Sequence, residues 1–151
     1  MQYYHWSHNY IDKLEDIKYI QDDFKPEGFW FSVNKEWLEW CKENGIFNSE
    51  DDYQYEIIFN SENIYKISSL QDLKNFRKRF PTKLNKNWID WNEVSKEYDG
   101  IVVYNYRDIK NDLLPKFGKY IWFLGLDCSC GCIWNIKIIT SFFIINKFKE
   151  M

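Results

Sequence analysis

The sequence predicts an α+β domain, and three observations carry that expectation. Short β-branched and aromatic runs, the signature of strands, are interspersed in mixed order with stretches whose apolar residues recur every three or four positions. A chain of 151 residues suits one domain and can bury a core without disulfides or metal. No internal repeat or low-complexity linker interrupts it, so residues 1–151 read as a single domain.

Taken in order, Met1 to Trp6 is a short aromatic strand. Asn9 to Gln21 places Ile11, Leu14, Ile17 and Ile20 at three-residue steps, with Asp12, Glu15 and Asp16 near its start, which predicts a helix that Pro26 and Gly28 end. Phe29 to Val33 is a strand. Ser32 or Asn34 is then placed to cap a second helix, Lys35 to Glu43, which buries Trp37, Leu38, Trp40 and Cys41 and stops near Gly45. The acidic run Ser49 to Asp52 reads as a loop. Tyr53 to Asn60 and Ile64 to Ile67 read as one or two strands about a turn at Asn60-Ser61.

Ser69 opens a third helix with the stripe Leu70, Leu73, Phe76 and Phe80, and Pro81 stops it. Asp90 caps a short helix that turns Val94 inward, with Gly100 just past its end. Ile101 to Tyr106 is a strand and Lys110 to Lys119 a polar connection. Tyr120 to Leu126 and Ile133 to Ile145 are the closing strands, with a cysteine segment between them. The expected total is about six strands and three or four helices.

Composition narrows the function classes. Aromatic residues make up 21% of the chain, with eight Trp, eleven Tyr and twelve Phe. Such rings fill a core, and they also wall flat-faced pockets. The net charge of −3 is unevenly spread: residues 1–60 carry thirteen acidic and five basic side chains, and residues 61–151 carry ten and fifteen. Lys74, Arg77, Lys78, Arg79, Lys83 and Lys86 lie in one stretch without an acid, which reads as a solvated helix face with its loop or as a surface for phosphates. The N-terminus has no apolar core of a signal peptide. Ile133 to Ile145 is too short and too polar to span a bilayer, so no membrane partner is expected and the protein is expected to be cytoplasmic.

Cys41, Cys128, Cys130 and Cys132 read as buried thiols of a reducing compartment. On a strand, residues two apart stand roughly 6–7 Å from each other, too wide for one tetrahedral metal unless Gly131 lets the segment bend. No Walker loop, G-x-S-x-G or H-E-x-x-H is present. A nucleophile pair of Cys128 or Cys130 with His5 has no third residue to orient it.

Three short segments carry a more specific reading: His5-Trp6-Ser7 on the first strand, Gly28-Phe29-Trp30-Phe31-Ser32 on the second with a helix after it, and Tyr98-Asp99-Gly100-Ile101-Val102-Val103 later. In type and order they resemble the signatures of ADP-ribosyltransferases of the histidine–tyrosine–glutamate kind. The resemblance implies mixed and antiparallel sheets flanked by short helices, and NAD bound as substrate between the first two strands. It implies transfer of ADP-ribose to a protein or nucleic-acid acceptor, or hydrolysis of NAD. His5 would hold the ribose, the backbone at Trp6 the nicotinamide amide, and Ser7 would support them. Trp30, at the tyrosine position beside Gly28 and Ser32, would stack on the nicotinamide as a cation–π face. Trp6 stands where the family has a small glycine, and the late glutamate has no clear counterpart. Asp127 is the first choice for the acidic group, which would steady an oxocarbenium-like centre. An alternative placement on the strand from Tyr98 to Val103 would nominate Glu97 or Asp99, of which Asp99 is the second choice. Without such a carboxylate the domain would bind NAD or ADP-ribose and leave it intact. A nucleic-acid-binding or protein-interaction domain of another fold is the further alternative, its aromatics suited to stacking on single strands.

Overall fold

The computed structural model describes residues 1–45, 53–113 and 117–147. Its frame is one seven-stranded sheet built from β1 (Tyr3–Ser7), β2 (Phe29–Val33), β3 (Tyr53–Phe59), β4 (Ile64–Ile67), β5 (Gly100–Val103), β6 (Cys130–Ile133) and β7 (Ile139–Lys147). The spatial order is β4-β5-β6-β2-β1-β3-β7. β4 and β5 are parallel and every other neighbouring pair is antiparallel. Five helices accompany it among the described residues: α1 (Glu36–Glu43), α2 (Leu70–Arg79), α3 (Trp91–Glu97), α4 (Tyr106–Asp112) and α5 (Ile121–Leu124). This is the α+β domain the sequence predicts, with a mixed sheet.

Alternation along the central strands sorts the core into two clusters, one on each face. On the first face, Ile101 and Val103 of β5 and Cys130 and Cys132 of β6 meet Leu73 and Phe76 of α2, Trp91 and Val94 of α3, Tyr106 of α4, and Trp122 and Phe123 of α5. The rings interlock: Trp91 and Trp122 lie edge-to-face with centroids 5.1 Å apart. The second face gathers Phe29, Phe31 and Val33 of β2, Ile57 of β3, Val102 of β5 and Ile133 of β6. Gly131 allows the central strands to sit this closely. A Cβ there would lie 2.3 Å from Cζ of Phe31 and 2.5 Å from the carbonyl of Ile101.

The helix starts with polar caps are where expected. The side chain of Ser69 accepts from the amide of Asp72, and that of Asp90 accepts from the amide of Glu93. α1 also occupies its expected place, and Gly45 follows it with a left-handed φ of 66°. Neither Ser32 nor Asn34 caps it, however. Lys35 is the N-cap residue, without a side-chain bond. Asn34 instead exchanges bonds with Gln2, accepting from its amide at 3.1 Å and donating its own amide to its carbonyl at 2.7 Å.

Four other expectations are corrected. Residues 9–21 form no helix. Strict three-residue steps drift around a helix rather than line one stripe, and here Ile17 and Ile20 are exposed while Leu14 packs on the second face. The segment is pinned by other bonds instead: the Ile11 amide donates to the distant Tyr55 hydroxyl, and the Gln21 amide group clasps the backbone of Glu27 six residues on.

Tyr120 to Leu126 is not a strand but contains α5, because a short buried apolar run fits either state and packing selects one. The span 110–119 is not merely a connection, since α4 runs into it from Tyr106 and a 3-10 turn covers Phe117–Lys119. The last strand is split. β6 takes in Cys130 and Cys132 and ends at Ile133, the backbone amides of Trp134 and Asn135 both turn to the carbonyl of Asp99, and β7 begins only at Ile139 on the far edge of the sheet. The loop expected at Ser49 to Asp52 lies outside the described residues.

Candidate functional site

β1 and β2 pair only at Tyr3–Val33 and Tyr4–Ser32. Beyond that, β1 stays with β3 through Ser7, and β2 stays with β6 from Phe29 to Ser32. The sheet therefore parts between β1 and β2, at residues 5–7 of the one and 29–31 of the other. Beside this parting lies a cavity of about 530 Å³. Its walls come from β1, β2, the loop 23–27, α1 and the segment 125–130.

Of the residues singled out by sequence, His5, Trp6, Trp30, Ser32 and Asp127 line this cavity. They come from three places in the chain and meet because β2 lies between β1 and β6. Ser7 and Gly28 do not line it. The Ser7 hydroxyl closes the turn after β1, donating to the carbonyl of Asn9 at 2.8 Å. Gly28 lies against β6, where a Cβ would sit 2.6 Å from the carbonyl of Ile133. Glu97 and Asp99 are also elsewhere: Glu97 pairs with Arg79, and Asp99 accepts from the side-chain amide of Asn135 at 3.0 Å. Among the proposed carboxylates, only Asp127 is in the cavity wall.

His5 occupies an unexpected position. Its Nδ1–H donates to the carbonyl of Trp30 at 2.5 Å, where the ladder between β1 and β2 has stopped. Its ring stacks on Phe29, with centroids 4.1 Å apart, on the side of β2 opposite Trp30. Burial lowers its pKa below the usual histidine value, the Trp30 carbonyl opposing this only in part. The histidine is thus a neutral strut holding the parted strands. The β1 residues that share the face of Trp30 are Tyr4 and Trp6, following the Tyr4–Ser32 register.

Sequence reasoning missed Asp23, Lys25, Glu27 and Trp37, which also line the cavity. Reading residues 9–21 as a helix left 22–27 as a mere terminus. Lys25 reaches across to donate from Nζ to the carbonyl of Gly125 at 3.0 Å, joining the loop to the opposite wall. Trp37 stacks on Trp40 at 5.1 Å. The lining thus combines three indoles, those of Trp6, Trp30 and Trp37, with three carboxylates, those of Asp23, Glu27 and Asp127, and the cation of Lys25.

The wall at 127–130 has its own constraints. Asp127 is exposed and holds a left-handed φ of 73°, a conformation most residues avoid. Next to it Cys128 is buried, and its thiol is pushed far above the usual range by a hydrogen bond with Cys130 and by burial. Burial likewise raises Cys132. Cys128 therefore makes a poor nucleophile. Among the described residues, no three His, Cys, Asp or Glu side chains are grouped to hold a metal ion. No helix of the described residues is long and apolar enough to cross a membrane. Compared with known protein families, curated proteins and solved structures, the chain matches none.

Proposed function

We propose that the cavity at the parted strands binds the nicotinamide–ribose end of NAD. The observation that carries this reading is the shared wall of Trp30, Trp6 and Asp127, brought together on one side of the sheet. A cationic aromatic ring is attracted to an indole face and to carboxylates, and ribose hydroxyls donate well to carboxylate oxygens. Trp30 stacks on the ring, while Asp23, Glu27 and Asp127 supply acceptors. A volume of about 530 Å³ suits a ligand of this size. His5 acts by holding β1 and β2 apart at the ring's position rather than by gripping the ribose.

The test is a binding titration with NAD, ADP-ribose and nicotinamide, followed by tryptophan fluorescence and calorimetry. NAD should bind tighter than ADP-ribose, which lacks the cationic ring, and Trp30→Ala should weaken NAD by about fivefold or more. Equal affinity for NAD and ADP-ribose, or no affinity for either, overturns the reading.

A second reading, turnover, is favoured by the location of Asp127. Departure of neutral nicotinamide leaves positive charge on the ribose carbon, and a carboxylate beside it lowers that barrier. Water or a macromolecular hydroxyl, amine or amide then takes the ADP-ribosyl group. Release of nicotinamide that Asp127→Asn abolishes, with NAD binding retained, supports turnover. Binding without release leaves the domain a nucleotide-binding module.

A further inference from the structure

On α2, away from the cavity, Lys74, Arg77 and Lys78 border a recess of about 240 Å³ that Lys119 and Tyr120 close from the other side. No carboxylate lines it, and among the described residues none forms an ion pair with any of these four cations. This sets the recess apart from the neighbouring Arg79, which is already paired with Glu97.

Arg77 is held in place before any ligand arrives. Its guanidinium lies over the ring of Tyr120, 5.5 Å from the centroid, and one Nη donates to the side-chain oxygen of Asn87. Its Nε is buried and has no acceptor within the protein. The amides of Gln71 and Asn75 add neutral polar groups to the rim.

The bond from Arg77 to Asn87 also fastens the following loop to the recess. That loop exposes Lys83 and Lys86, and beside Asn87 it exposes Trp88, 46% accessible and tethered edge-on to Phe24. Concentrated cations next to a flat exposed indole match the chemistry of a single-stranded nucleic acid, which offers phosphates at short intervals with bases free to stack.

We propose that the recess on α2 and the adjoining 83–88 loop bind single-stranded nucleic acid, its phosphates at Lys74, Arg77, Lys78 and Lys119 and a base on Trp88. The proposal stands without the nucleotide reading of the cavity. Should both hold, it also gives the acceptor's chemical class.

The experiment is fluorescence anisotropy of a labelled short oligothymidylate with the full chain, without NAD, at salt from about 50 to 200 mM. Binding should weaken steeply with salt. Lys74→Gln with Lys78→Gln should weaken it about tenfold or more. The same pair should reduce the salt slope by about 1.4, since each phosphate left without its lysine takes about 0.7 from it. Trp88→Leu should weaken binding about fivefold or more. Lys137→Gln, on the turn that packs against the other face of the sheet, should leave it unchanged. All four substituted side chains are exposed or half-exposed, so folding, checked by melting, should persist. No binding by the intact chain overturns the proposal, as does equal loss in the Lys137 variant or equal affinity for a duplex or a phosphoserine peptide.

Discussion

The Nδ1–H of His5 donates to the backbone carbonyl of Trp30 across the point where β1 and β2 stop pairing. One side chain thus replaces a ladder bond, and the parting is stabilised at the cost of burying an imidazole. Burial disfavours the charged ring, so its pKa in the fold lies below the usual value of about 6.5. Below that value the unfolded chain takes up a proton that the folded chain resists, and stability falls with pH. The His5 contribution is complete above pH about 6.5 and is lost as pH drops from there through the lowered folded value. Melting followed from pH about 7.5 downward should show this decline, and His5→Gln should flatten it.

Asp127 combines a left-handed backbone with a place in the cavity wall. Glycine adopts that conformation freely, whereas a β-branched residue pays about 1–2 kcal/mol. Asp127→Gly should therefore keep or slightly raise the melting temperature, and Asp127→Val should lower it. Both should weaken the proposed NAD binding, because both remove every side-chain acceptor oxygen, one of which Asp127→Asn keeps. Calorimetry on the two variants separates the backbone effect from the chemical one.

Gly131 lies under the ring of Phe31 and against the carbonyl of Ile101. An added methyl cannot fit without moving a central strand. Gly131→Ala should cost about 2–3 kcal/mol in urea unfolding. Shortening the opposing side chain with Phe31→Leu in the same protein should recover part of that loss, which would place the clash at the ring. Equal stability of Gly131→Ala and the parent would refute the close packing.

The cap of α2 can be tested in isolation from the site. The Ser69 hydroxyl accepts from the amide of Asp72 at 3.1 Å, while the Asp72 carboxylate accepts from the backbone and hydroxyl of Ser68. Ser69→Ala should cost about 1 kcal/mol, and Ser69→Asp should restore most of it. The readout is the denaturant midpoint at constant slope.

The thiols give a last prediction. Cys41, Cys128, Cys130 and Cys132 are buried, and burial helps to hold Cys128 and Cys132 in the protonated form. Alkylation near pH 8 should be slow at Cys128 and Cys132 in the folded chain and rapid in urea. Fast labelling of Cys128 before unfolding would contradict the packing of the cavity wall.

What the sequence determined by itself is the α+β class and the elements whose signals are local. The caps at Ser69 and Asp90 and the left-handed Gly45 after α1 are decided by groups within a few residues, and the strand from Ile101 shows in a short β-branched run, though it stops at Val103 rather than at Tyr106, where α4 begins. The same is true of the site residues Trp30 and Asp127 as types worth noting, though not of their meeting. Tertiary structure alone decided the rest. Residues 9–21 gave up a weak helical pattern for bonds to Tyr55 and packing on the second face, and 121–124 became helical because Trp122 and Phe123 had to reach Phe76 and Tyr106. The cavity itself depends on β2 lying between β1 and β6, an order set by strand pairing over a hundred residues of separation. Local hydrogen bonds are written in neighbouring residues, whereas burial and strand order depend on which distant surfaces fit together, and no short window of sequence contains that information.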